Sequence, residues 1–119
     1  MTPEELKART KRFALRVLKL ADSLPRTPSG RTLSSQIADS GTSAASNYRA
    51  ACKAPSRREF IAKIGIAEEE ADETQFWLEL IIDSALFPQK RIQPLHREAC
   101  EITAILAASR KSASNRDST

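Results

Sequence analysis

Histidine, cysteine and glycine are scarce in this chain of 119 residues, with one, two and three copies. That scarcity removes several chemistries. The glycines stand apart, at 30, 41 and 65, so no clustered loop exists to cradle a phosphate. His96 and Cys100 lie four residues apart and share a helical face, but two ligands fall short of the four that a structural zinc site takes. A carboxylate-bridged diiron bundle needs Glu-x-x-His pairs, and the residue three before His96 is Gln93. No metal or other cofactor is therefore expected. Aromatic residues amount to 5%, and β-branched ones are sparse, while Ala, Leu, Glu, Lys and Arg abound; that balance favours helices. No apolar run reaches the length of a membrane span. The opening "MTPEELKARTKRF" carries no apolar signal core, so a cytoplasmic location is expected.

Charge is unevenly spread. Residues 1–31 hold eight bases and three acids, whereas residues 64–87 hold seven acids and no base. One acidic element thus sits among basic surroundings. Such a distribution compensates within one fold, steers a polyanion, or lets copies of the chain meet head to flank.

Four apolar stripes at helical spacing organise the chain. In "TPEEL", Thr2 is an N-cap, Pro3 takes the first helical position and Glu5 completes a capping box. Leu6, Phe13, Val17, Leu20 and Leu24 then share one face. The stretch "PRTPSGR" reads as a loop. In "IADSGTSAASNY", seven of twelve residues are Gly, Ala or Ser. Leu33, Ile37, Gly41, Ala44, Tyr48 and Ala51 nevertheless keep a spacing of four and three, which a linker has no reason to do. This is a helix whose small core face lets a neighbour come close. Ser56 and Glu59 form a second capping box. Phe60, Ile64, Ala67, Ala71, Thr74, Leu78, Ile81 and Ala85 follow in heptad order, and Leu95, Ala99, Ile102, Leu106 and Ser109 make a fourth stripe. These stripes predict an all-α, antiparallel up-down-up-down four-helix bundle over residues 1–110. Its helices are expected at about 3–24, 32–52, 57–87 and 94–110, with a disordered tail over 111–119. A helical hairpin that completes its core in an oligomer is the alternative. In the bundle, Cys52 and Cys100 fall near opposite ends, beyond disulfide reach and buried as small apolar groups.

Residues 36–81, "QIADSGTSAASNYRAACKAPSRREFIAKIGIAEEEADETQFWLELI", resemble the 23S rRNA intervening-sequence proteins, also called four-helix bundle proteins. The small-residue run into "NYRAA", the "SRREFIAK" helix start and the "EEADETQFWLEL" segment carry the resemblance. It implies a four-helix bundle that assembles as a ring-like homopentamer. It also implies kinship with the accessory proteins of diversity-generating retroelements, which are similar and are thought to bind nucleic acid through a basic surface. It implies no catalytic residue.

Two sets of residues are the functional candidates. The first is basic: Arg9, Arg12, Arg16 and Lys19 along helix 1, with Arg26, Arg31, Lys90 and Arg91 gathered at the end where two loops meet. Such bases contact RNA or DNA phosphates without sequence-specific geometry. No aromatic residue interleaves with them, so base stacking is not signalled. The second set is apolar and lies off the core stripes: Leu15 and Leu18 on helix 1, Ile66, Phe76, Trp77 and Leu80 on helix 3. Several large apolar side chains on second faces mark a self-association surface, with packing at the bundle edge as the alternative for Trp77. No nucleophile–base pair is evident, so a non-enzymatic homo-oligomer is expected, without a small-molecule substrate. It either binds nucleic acid or serves purely as a scaffold.

Overall fold

The computed structural model describes residues 1–117, and among them four helices and no strand occur: α1 (Pro3–Ser23), α2 (Pro28–Cys52), α3 (Arg57–Asp83) and α4 (Gln89–Asp117). Short loops reverse the chain three times. Each helix packs on its sequence neighbours, and α4 returns only loosely to α1. The result is the expected antiparallel bundle, 51 Å long and 21 Å across. No helix is long and apolar enough to cross a membrane.

Capping explains where helices begin. Thr2 accepts from the Glu5 N–H while Glu5 accepts from the Thr2 N–H, the predicted reciprocal box. Ser56 caps α3 through the Glu59 N–H at 3.1 Å. α2 starts at Pro28 rather than at 32, because Thr27 accepts from the Gly30 N–H and Pro28 occupies the first turn. A Cβ on Gly30 would lie 1.9 Å from the Pro25 carbonyl oxygen, so only glycine lets the incoming loop pass.

Three other boundaries depart from expectation. α3 ends at Asp83, not 87. There Ala85 adopts φ 56°, its N–H donates to the Ile82 carbonyl, and the Leu86 N–H donates to that of Ile81. These two bonds form a Schellman motif that satisfies the last carbonyls. The left-handed position is normally glycine's, and alanine pays about 1 kcal/mol there. Ala85→Gly is expected to raise stability by about that amount, read as a higher melting temperature.

α4 begins at Gln89 and runs through Pro94, which was expected to start it. Full burial of Ile92 beside Leu95 offsets the hydrogen bond that Pro94 cannot donate. The segment 111–117, expected to be disordered, is helical; residues 118–119 of that tail lie outside the described residues. Its Ala113 lines a cleft together with Ala54, Pro55 and Phe60 near the start of α3, and Arg110 one turn earlier bonds Glu68 at 2.6 Å. Those partners are remote in sequence, so composition alone did not reveal them.

The core joins the four stripes. Phe13, Val17, Ile37, Ala44, Ile64, Ala67, Ala71, Leu78, Ile81, Ile92, Ala99, Ile102 and Leu106 are all at most 1% exposed. Small residues at α2 and α3 let the axes approach, and the buried Thr10, Ser40 and Thr74 are hydrogen-bonded, whereas Trp77 Nε1 at the core's edge has no partner among the described residues. Thr74 Oγ1 lies 2.8 Å from both the Ser40 hydroxyl and the Glu70 carbonyl, linking α3 to α2.

Candidate nucleic-acid interface

The loose α1–α4 seam is where bases converge. Antiparallel packing places the last turns of α1 beside the first turns of α4. A cleft of about 200 Å³ opens there, lined by Arg16, Lys19, Leu20, Ser23, Phe87, Arg91 and Leu95. Arg16, Lys19 and Arg91 are exposed and have no ion-pair partner among the described residues. The Arg91 guanidinium lies 4.8 Å above the centre of the Phe87 ring, a cation–π contact that steadies its orientation. Three cations around one small, partly apolar cleft repel one another, and an anion placed among them would replace that repulsion with attraction.

Phe87 was missed by sequence reasoning, which assigned it to α3 and saw no aromatic among the bases. It belongs to the loop after α3, four residues before Arg91, and the first turn of α4 carries the guanidinium over its ring.

Further along the same seam, Arg9 is spent within the chain. Its Nε and Nη2 donate to the two carboxylate oxygens of Glu98 at 2.8 and 2.6 Å, and Nη2 also lies 3.6 Å from Glu101. Arg9 therefore leaves the basic set available to a ligand and instead ties α1 to α4. The hydrogen bonds from Arg9 hold the Glu98 carboxyl below its ordinary value of 4.5 against the opposing effect of burial, with the positive field of Arg9, Arg16 and Arg12 adding to them. A lowered carboxyl contributes stability above its unfolded value and loses it as the pH falls through the folded one. Glu98→Gln should cost about 1 kcal/mol at neutral pH, allowing for solvent screening of the partly exposed pair. It should also flatten the loss of thermal stability on the acid side of pH 4.5, as followed by melts across pH.

The remaining predicted bases do not join the cleft's lining. Arg12 is exposed on α1, and Lys90 is exposed in the first turn of α4. Arg26 and Arg31 line a different groove, between α1 and α2, where Arg31 Nη1 donates to the Arg26 carbonyl at 3.0 Å. The shared end of the bundle thus divides into two basic faces.

The model of the 23S rRNA-intervening sequence proteins matches residues 5–108. The chain belongs to this family. A crystal structure of a protein of unknown function from the S23 ribosomal protein family of Bacteroides thetaiotaomicron is similar in sequence and fold. The two are 34% identical with a TM-score of 0.86, covering 93% of this chain and 99% of that one. No curated protein matches the chain.

This 23S rRNA-intervening sequence protein carries a second polar cluster, on the α3–α4 face. His96 Nε2 lies 3.0 Å from Glu79 Oε2, and Cys100 Sγ lies 3.9 Å from His96 Nδ1. Cys100 donates to Gln75 Oε1, whose amide donates to Thr103. Sequence reasoning placed His96 and Cys100 on one helical face but missed Glu79 and Gln75, which come from another helix. The electrostatics nevertheless hold the thiol protonated. Burial pushes Cys100 up, and the carboxylates of Glu79, Asp72 and Glu101 push it further. The array is a hydrogen-bonded strut between helices rather than an activated thiolate. Among the described residues no group of three His, Cys, Asp or Glu side chains can hold a metal ion. Cys52 and Cys100 are free thiols, half-buried rather than fully buried.

Of the second-face residues in this family member, Leu15, Leu18, Ile66, Phe76 and Leu80 are exposed, with Leu15 at 57% and Phe76 at 51%. Trp77 differs. It is half-buried against the core and meets the Phe76 ring edge-on at 5.1 Å. Trp77 thus packs at the bundle edge, which its place beside the core stripe already allowed.

Proposed function

We propose that this protein is a non-enzymatic, cytoplasmic, ring-like homo-oligomer that holds the phosphate backbone of RNA or DNA at the α1–α4 cleft. The observation that carries the reading is the convergence of Arg16, Lys19 and Arg91, all without ion-pair partners, on one cleft. Exposed Arg12 and Lys90 extend the positive surface beyond it. A ring of copies would repeat the cleft and turn weak single contacts into avid binding. Ring formation, with the five subunits that the family resemblance implies, draws support from the exposed apolar residues on α1 and α3.

Filter-binding titration of single-stranded RNA and duplex DNA, run beside a sizing column, tests the reading. Retention should be weakly sequence-selective and fall steeply with salt, at a log-log slope near −0.7 per neutralised phosphate on single strands and −0.9 on duplex DNA. No retention by intact particles at low salt would leave a pure protein-interaction scaffold. That second reading is favoured by one observation, the consumption of Arg9 by Glu98 inside the fold. Leu15→Glu combined with Leu18→Glu should give smaller, still helical particles in sedimentation; unchanged size at low micromolar concentration would remove these two from the interface.

A further inference from the structure

The outer face of α3 repeats the pattern of its buried face. Ile64, Ala67, Ala71, Thr74, Leu78 and Ile81 fill the core in steps of three and four. Ile66, Glu69, Glu73, Phe76, Leu80 and Asp83 follow the same steps, and all six are exposed. A helix with two heptad seams on different sides has the form of one that belongs to two bundles at once. The acids of the outer seam have no base within their own segment, since residues 64–87 contain none. Among the described residues Glu68 pairs with Arg110 and Glu79 with His96, whereas Glu69, Glu73 and Asp83 have no ion pair.

A surface of opposite character lies between α1 and α2. Its groove, about 850 Å³, has Ala8, Ala14, Ala45 and Ala50 among its lining residues, and Lys11, Arg49 and Lys53 are exposed along it without ion pairs. Towards the other end it gives way to a groove of about 600 Å³ walled by Leu18, Ala21 and Ala38. Small residues leave room for large ones, so the groove's relief is the inverse of the ridge's. The order of features also agrees. Lys11, Arg49 and Lys53 of the groove lie nearer the end that carries loop 53–56 than Leu18 does, and Glu69 and Glu73, at the middle of α3, lie nearer it than Phe76 and Leu80. Leu18, Phe76 and Leu80 lie towards the opposite end.

Resting on the self-association proposed above, we infer that the α3 ridge of one copy docks in the α1/α2 groove of a second copy pointing the same way. Different surfaces then meet at every contact, so the arrangement propagates head to flank instead of stopping at a two-fold dimer, as the ring proposed above requires. Charge complementarity sets the register: Glu69 and Glu73 of the ridge against Lys11 and Arg49 of the groove, Asp83 towards Arg26 and Arg31, and Phe76 and Leu80 against Leu18, Ala21 and Ala38. The cleft at the α1–α4 seam stays outside this contact, which leaves it open to a polyanion.

Charge reversal on each side tests the pairing by sedimentation velocity, with circular dichroism to check folding. The groove variant is Lys11→Glu with Arg49→Glu, and the ridge variant is Glu69→Lys with Glu73→Lys. All four residues are exposed, so helicity should persist. Each variant should fall from a multi-subunit particle to the 13.1 kDa monomer. The chain carrying all four reversals should regain the wild-type particle, because its acidic groove now meets a basic ridge. Reversals that leave particle size unchanged overturn this docking and leave self-association standing. Dissociation of both variants without recovery in the fourfold variant shows that the two faces do not meet each other, and also overturns it. A wild type that is monomeric at 100-fold the concentration used overturns both the docking and the ring.

Discussion

Gly41→Leu should collapse the bundle's stability. A Cβ placed on Gly41 would lie 2.7 Å from Val17 Cγ1 and 3.0 Å from both Val17 Cβ and Cγ2. Real Cβ contacts do not come so close, and a β-branched valine has few rotamers in which to retreat. Val17, Ile37 and Ala44 are all fully buried, so no space lies behind them. Alanine at 41 would gain up to about 1 kcal/mol of helix propensity and still meet this wall. Leucine adds three further carbons. Overpacking a tight core costs about 1–3 kcal/mol, and this site stands at the upper end. A fall in melting temperature of more than about 10 °C is expected. Two comparisons isolate the cause. Gln36→Leu adds a leucine to the same helix at an exposed position and should change stability by no more than about 0.5 kcal/mol. Val17→Ala combined with Gly41→Ala should recover much of what Gly41→Ala loses, since it removes the atoms that clash. An unchanged melt for Gly41→Leu would show that the helices are not held at this distance.

The largest functional effect is expected at the α1–α4 cleft. Replacing Arg16, Lys19 and Arg91 together with Gln should lower affinity for single-stranded RNA by at least tenfold at low salt. The log-log salt slope should flatten by about 2, or about 0.7 for each phosphate no longer neutralised. All three side chains are exposed, so the fold and particle size should hold. Arg9→Gln provides the contrast. Arg9 already serves Glu98, so its loss should lower the melting temperature while moving the salt slope little. Phe87→Ala separates stacking from charge: weaker binding to single strands at an unchanged slope would mean that the ring contacts a base. If the triple variant binds with the slope of the wild type, the cleft is not the site.

The two sites were legible in the sequence to different depths. The basic stripe of α1 was visible because its residues recur at helical spacing. Its division into a cation held by Glu98 and cations free at a cleft was not. Glu98 lies 89 residues from Arg9, and no local rule links them. Arg91 reaches Arg16 and Lys19 only through the register in which α4 returns along α1. Loop chemistry misled in a different way. Thr27–Pro28 carries the same cap signal as Thr2–Pro3, but Pro25 and Gly30 on either side made the stretch look like uninterrupted loop.

The sequence by itself determined the elements and their inner faces. Caps and apolar stripes act between residues three or four apart, where helix geometry alone fixes who meets whom. It also determined that acid and base would be segregated, since residues 64–87 contain seven acids and no base. Tertiary structure decided how near the helices come, which charges are neutralised, and where α3 and α4 end. Gly41 shows the difference. Its place on the core stripe was readable from spacing, whereas its contact with Val17 depends on the position of another helix to within about an ångström. Close packing is steep in distance, so contacts of this kind are set by the assembled core and not by the segment that contributes them.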